Sequence, residues 1–199
     1  MNFLAHAYLS FDQPKVLVGN FIGDFVKGDL TKQFDAEIVI GINLHRAIDR
    51  FTDLHPVVKE SQELLKPIFA RYSSVITDMF FDYFLARNWP QYHAVPLEVY
   101  VESVYQLMEE HAPIHPPKFR EAFKYMRKEN WLVAYGTPSG IQRALTGISY
   151  RTTFKSHLEK APLYLEKHHA DFERCFNAFF PDLIRFSEEK LQELRSQTL

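Results

Sequence analysis

Leu44-His45-Arg46-Ala47-Ile48-Asp49-Arg50-Phe51-Thr52-Asp53-Leu54-His55-Pro56 is the most informative stretch of this chain. His45, Asp49 and Asp53 stand at i, i+4 and i+8. On a helix each such step turns by only about 40°, so the three line one slowly rotating stripe. Arg46 and Arg50 form a parallel ladder one residue on. Asp35 can cap this helix, which is predicted over about 36–52, and His55-Pro56 restarts the chain into the next one.

Helical spacing of this kind dominates outward in both directions, with little Val/Ile/Thr alternation and few glycines. A short apolar helix is predicted near 2–10. A second follows near 14–27, with Pro14 in its first turn and Gly28 at its C-terminal cap. Further helices are predicted at 56–71, at 75–88 after a cap at Ser73 or Ser74, and at 96–111, 117–130 and 138–148. A long helix should reach about 179, break at Phe180-Pro181, and resume to about 195. No linker or composition shift divides the chain, so one all-α domain is expected over residues 1–199, a multi-helix bundle.

Composition narrows the classes. The chain has 199 residues, 46% of them hydrophobic, with 18 Phe and 10 Tyr, which suits one globular core. A net charge of −2 excludes a general affinity for polyanions, so no nucleic-acid role is expected. The one cysteine, Cys175, cannot form a disulfide within the chain and reads as a half-buried apolar residue in a reducing compartment. The N-terminus lacks a basic n-region, and no apolar run approaches the roughly 20 residues of a spanning helix. A cytoplasmic protein with no membrane association is expected.

Polar residues inside apolar helices carry the chemical signal. His6 lies within Phe3-Leu4-Ala5-His6-Ala7-Tyr8-Leu9; alone, such a histidine is more often a hydrogen-bonded core residue than a ligand. Gly19-Asn20-Phe21-Ile22-Gly23-Asp24-Phe25 places Gly19 and Gly23 on one face, where another helix can approach, and Asn20 and Asp24 on a neighbouring one. A buried Asp24 would need a cation, a donor or a proton; the plain alternative is a partly exposed carboxylate. His45 and Asp49, one turn apart, can share a divalent ion, and Arg46 and Arg50 suit phosphate oxygens beside it. The competing reading is a salt-bridged surface helix. Asp78 and Asp82 are again one turn apart within Thr77-Asp78-Met79-Phe80-Phe81-Asp82-Tyr83-Phe84-Leu85. A shared cation would relieve their repulsion, although Asp78 could simply complement a helix start. If four helices converge these groups, the oxygen-rich set with one or two histidines suits Mn²⁺, Mg²⁺ or Fe²⁺.

Several blocks resemble the acyl carrier protein phosphodiesterase family. They are Met1-Asn2-Phe3-Leu4-Ala5-His6, Gly19 through Gly28, Gly41-Ile42-Asn43-Leu44-His45-Arg46-Ala47-Ile48-Asp49, and Phe51-Thr52-Asp53. Later echoes are Asp82 with Phe84-Leu85 and Trp89, Trp131-Leu132 with Tyr135, and Ser149 with Arg151. The resemblance is clear over about 1–155. It implies an HD-domain-like helical fold and a metal-dependent hydrolase, manganese favoured. That hydrolase would cleave the phosphodiester between 4′-phosphopantetheine and a serine of holo-acyl carrier protein. Two positions depart from the family pattern: Tyr83 stands where a histidine is common, and Arg46 is followed by Ala47.

On this reading His6, Asp24, His45, Asp49 and Asp82 hold the metal, Arg46 and Arg50 bind phosphate oxygens, and Asp53 or His55 assists proton transfer. An acidic carrier protein would dock on a basic face, with Lys118, Arg120, Lys124, Arg127 and Lys128, or Arg151 and Lys155, as its source; an ordinary solvated helix face is the plainer account of the first set. Three alternatives stand beside it. The first is a phosphohydrolase of small phosphoesters built on the same site, and the second a binding protein without catalysis. The third, a ferritin-like di-iron protein, is discounted because Glu166 and His169 form one such spacing without a partner.

Overall fold

The computed structural model describes residues 1–150 and 156–197; Arg151 and Lys155 lie outside them. The α-helices are α1 (Phe3–Tyr8), α2 (Pro14–Ile22), α3 (Ala36–Leu54), α4 (Pro56–Phe69), α5 (Ser73–Arg87), α6 (Leu97–Glu110), α7 (Pro117–Glu129), α8 (Trp131–Ala134), α9 (Pro138–Ser149), α10 (Ala161–Lys167) and α11 (His169–Ser196). Short 3-10 turns join several of them, and the described residues contain no strand. The fold is all-α, as the helical spacing predicts. No helix is long and apolar enough to cross a membrane among these residues.

α3 is the spine. It begins at the expected cap, where the Asp35 carboxylate accepts the Ile38 N–H at 3.2 Å. It packs against α2 on one side and α11 on another. The α2–α3 crossing is a backbone-to-backbone contact made possible by two glycines. A Cβ on Gly19 would stand 2.1 Å from the carbonyl oxygen of Ile38, and one on Gly41 would stand 2.2 Å from that of Val16. One turn beyond Gly19, a Cβ on Gly23 would stand 2.4 Å from the ring of His45. The Gly19/Gly23 face therefore receives Gly41 and His45, which are themselves one turn apart.

Several boundaries differ from expectation, an unpredicted α8 and a break between α10 and α11 among them. The α2 segment stops at Ile22 and tightens into a 3-10 turn over Gly23–Phe25, where the chain meets His45; Gly28 does adopt a positive φ, but beyond that turn. Ser73 starts α5 without capping it, because its hydroxyl donates to the Ala70 carbonyl. The break at Phe180-Pro181 does not occur: α11 runs through Pro181. Proline there forfeits one backbone hydrogen bond at a cost of about 3 kcal/mol. The buried face of Phe172, Cys175, Phe176, Phe179, Phe180 and Leu183 is continuous across it, and each large side chain contributes about 1.5–3 kcal/mol. Burial outweighs propensity. Cys175 is a fully buried free thiol in that face.

α1 is only six residues long and is held by α5. The Asp82 carboxylate accepts the Leu4 N–H at 2.8 Å and lies 3.3 and 3.4 Å from the Asn2 and Ala5 nitrogens. This satisfies donors that a helix N-terminus leaves unpaired.

Candidate metal centre

His6 from α1, His45 and Asp49 from α3, and Asp24 from the turn after α2 meet at one point. His6 Nε2 lies 3.2 Å from Asp49 Oδ1, and His45 Nε2 lies 3.2 Å from both Asp49 Oδ2 and Asp24 Oδ1. Ligand atoms of His6, His45 and Asp49 all fall within 4.8 Å of one another. Both imidazoles are buried, while the Asp24 side chain is 73% exposed and closes the group on its solvent side.

Asn20 determines which ring nitrogens face the cluster. Its Nδ2 donates to the His6 carbonyl and to Ser10 Oγ, which turns its Oδ1 toward His6 Nδ1 at 2.8 Å. Its backbone carbonyl stands 2.8 Å from His45 Nδ1. Both are acceptors, so both Nδ1 atoms carry hydrogens, and each ring, whenever it is neutral, presents an Nε2 lone pair to the carboxylates. Acceptors facing acceptors at 3.2 Å repel unless a proton or a cation lies between them. His45 Nε2 is buried and makes no properly directed hydrogen bond, despite two carboxylates at that distance.

Electrostatics follow the geometry. Burial and the neighbouring His45 lower the pKa of His6 to about 4, so its ring is neutral. Burial also works against a charged His45, but Asp24 and Asp49 outweigh it and raise its pKa to about 9. Burial disfavours the Asp49 carboxylate; His45, His6 and the Met1 amine overcome this and hold it well below the usual range. The Asp24 pKa is lowered by its contact with His45. The donor set, two imidazole nitrogens with one or two carboxylates, fits a divalent ion of the Mn²⁺, Mg²⁺ or Fe²⁺ type.

The remaining predicted residues divide. Arg46, Arg50 and Asp53 line a cleft of about 580 Å³ together with Asp24, His45 and Asp49. Asp82 is not in this cluster, because its oxygens are engaged by the start of α1; burial pushes its pKa up to about 7. Asp78 pairs with the Met1 amine at 3.2 Å, and that amine also lies 3.5 Å from Asp49. No spacing rule in the sequence signals this ammonium neighbour. His55 does not line the cleft; its ring packs on Phe51 and Phe179, with Nε2 3.5 Å from Asp182 of α11. Tyr83, at the position where the family commonly has histidine, is buried against Phe84 and His169 with its hydroxyl 2.6 Å from Arg87, so the change does not touch the cluster. On the basic face of α7, Lys124 pairs with Glu121, and Arg127 with Glu102 and Glu109.

Comparison with known proteins agrees with the resemblance and extends it. The sequence model of the acyl carrier protein phosphodiesterase family matches residues 1–183, well beyond 155. The acyl carrier protein phosphodiesterase of Photorhabdus laumondii is 33% identical over 193 residues, 96% of each chain. That of Klebsiella pneumoniae is 35% identical over 191 residues, covering 96% of this chain and 99% of the relative. The Escherichia coli O157:H7 protein of the same name is 33% identical over the same coverage. No solved structure matches.

Proposed function

The chain belongs to the acyl carrier protein phosphodiesterase family, and on that footing we propose that it hydrolyses the phosphodiester joining 4′-phosphopantetheine to a serine of holo-acyl carrier protein in a metal-dependent reaction. The products are the apo protein and 4′-phosphopantetheine. The observation that carries this reading is the convergence of His6, His45, Asp49 and Asp24 beside a cleft lined by Arg46, Arg50 and Asp53.

His6, His45 and Asp49 hold the metal, with Asp24 adjacent. A bound Mn²⁺ supplies Lewis acidity toward a phosphoryl oxygen and lowers the pKa of a water. Asn20 keeps both Nε2 lone pairs turned inward, the supporting role that a second layer of residues plays around metal ligands. Arg46 and Arg50 pair with the equatorial phosphoryl oxygens as charge develops. Asp53, which lines the same cleft, takes the proton on this reading, whereas His55 is held on the α3–α11 seam.

The test is incubation of the purified protein with holo-acyl carrier protein and Mn²⁺, followed by intact-mass spectrometry of the carrier. Loss of the phosphopantetheine mass, blocked by a chelator, is expected. An unchanged carrier mass with protein shown to bind Mn²⁺ overturns the proposal and points to a small phosphoester instead.

A further inference from the structure

Asp24 belongs to two cavities at once. On one side is the polar cleft; on the other is a larger, partly open cavity of about 910 Å³ lined from the 3-10 turn, α1, α5, α7, α8 and α9. Its walls are mainly apolar, with Phe3, Phe25, Met79, Trp131, Ala144 and Ile148 among them. Among the described residues nothing in the hydrolytic cluster needs this space. It lies next to the place where phosphate would sit, and a group esterified to that phosphate has to extend somewhere.

We infer that this cavity seats the pantetheine arm, which makes its lining a specificity-determining part of the site. The inference rests on the phosphodiesterase reading above. The chemistry of the arm matches the walls: next to the phosphate it carries a gem-dimethyl group, followed by short methylene stretches separated by two amides. The apolar faces cover the former, and Tyr125 and Arg143 provide hydrogen-bonding groups for the latter. Pockets for ligands of this size run about 300–1,000 Å³, so the space is sufficient for the whole arm. The polar, open cleft would then hold the phosphate and leave the serine end facing solvent, where a carrier protein can approach. Asp24 stands at the junction, beside the phosphate–pantetheine link that stays intact, while the serine–phosphate bond to be broken lies on the open side of the cleft.

Gly147 offers a way to test this. It lines the cavity from α9, and among the described residues a Cβ there meets nothing within 4 Å. Gly147→Leu replaces a poor helix former by a good one and fills part of the cavity. We expect kcat/KM on holo-acyl carrier protein to fall at least tenfold, mainly through KM. The loss on bis(4-nitrophenyl) phosphate, which has no arm, should be several-fold smaller. Equal losses on both substrates, or none on the carrier, would overturn the assignment. A second measurement does not depend on turnover: free 4′-phosphopantetheine should change the fluorescence of Trp131, with Trp131→Phe used to separate it from Trp89, and Gly147→Leu should weaken that titration. If the wild type leaves the holo carrier intact, the phosphodiesterase reading fails, and the titration still decides the cavity. No binding there, or binding that Gly147→Leu does not alter, rules the cavity out as the seat of the arm.

Discussion

The imidazoles of His6 and His45 stack with ring centroids 4.1 Å apart, and both rings are pinned by Asn20, one through its side chain and the other through its backbone carbonyl. Two cationic rings could not stack so closely; the arrangement requires at least one to be neutral, and burial makes that one His6. Asn20→Ala removes the acceptor of His6 Nδ1 and leaves that of His45. Mn²⁺ affinity should fall about 10- to 100-fold, the usual cost of losing such a supporting partner, as read by titration calorimetry. Unchanged affinity would mean that Asn20 serves only the packing of α1 on α2.

His45→Ala and Asp49→Ala each remove a donor from the cluster. Mn²⁺-dependent cleavage of the holo carrier should drop below detection while far-UV circular dichroism stays helical. Wild-type rates in either variant would remove the cluster from the mechanism.

Two glycines one turn or less from the site should separate fold from function. Gly41→Ala places its methyl against the backbone of Val16 and Asn20, which cannot yield locally, so the α2–α3 crossing must open. A loss of about 1–3 kcal/mol in urea unfolding is expected. Gly23→Ala instead meets a side chain, the ring of His45. There the larger effect should be on Mn²⁺ affinity and turnover, with a smaller shift in unfolding midpoint.

Asp82 gives a sharp contrast between cap and ligand. Asp82→Ala leaves the Leu4 N–H without its acceptor and should cost about 1–3 kcal/mol. Asp82→Asn keeps one acceptor and should cost less, with Mn²⁺ binding retained. Lost metal binding at unchanged stability in Asp82→Asn would return this residue to the ligand set.

His115 predicts an acid-sensitive fold. Its buried ring packs edge-on to Phe119 and Phe123, and burial, then Arg120, lowers its pKa from 6.5 to about 4. Between these values the unfolded chain binds more protons than the folded one, so stability falls as pH drops from 6.5 toward 4 and is fully present above 6.5. His115→Leu should flatten that part of the curve: the difference in thermal midpoint between pH 7 and pH 4.5 should shrink. An identical difference in both proteins would show that other groups control acid unfolding.

Much of this was legible from spacing. The period of the helix puts His45 and Asp49 on one stripe whatever the rest of the chain does, and the same rule places Arg46 and Arg50 beside them. Glycines four apart announced a close approach of some helix to α2, and the blocks around His6, Gly19–Gly28 and Gly41–Asp49 carried the family. Local rules also made Asp78 and Asp82 look like a second ligand pair, and they made Pro181 look like a break.

Only tertiary structure could settle those last cases. Asp82 and His6 are both buried polar residues, and sequence is blind to whether a buried carboxylate meets a cation or a row of N–H groups; the docking of α1 on α5 decides it. His6 and His45 are far apart in the chain, and Asn20 joins them only because Gly19 and Gly41 let two backbones touch. Pro181 stays helical because the burial of α11 exceeds a local penalty. Propensity and period act over a few residues, whereas desolvation and hydrogen-bond satisfaction are decided among groups brought together from the whole chain.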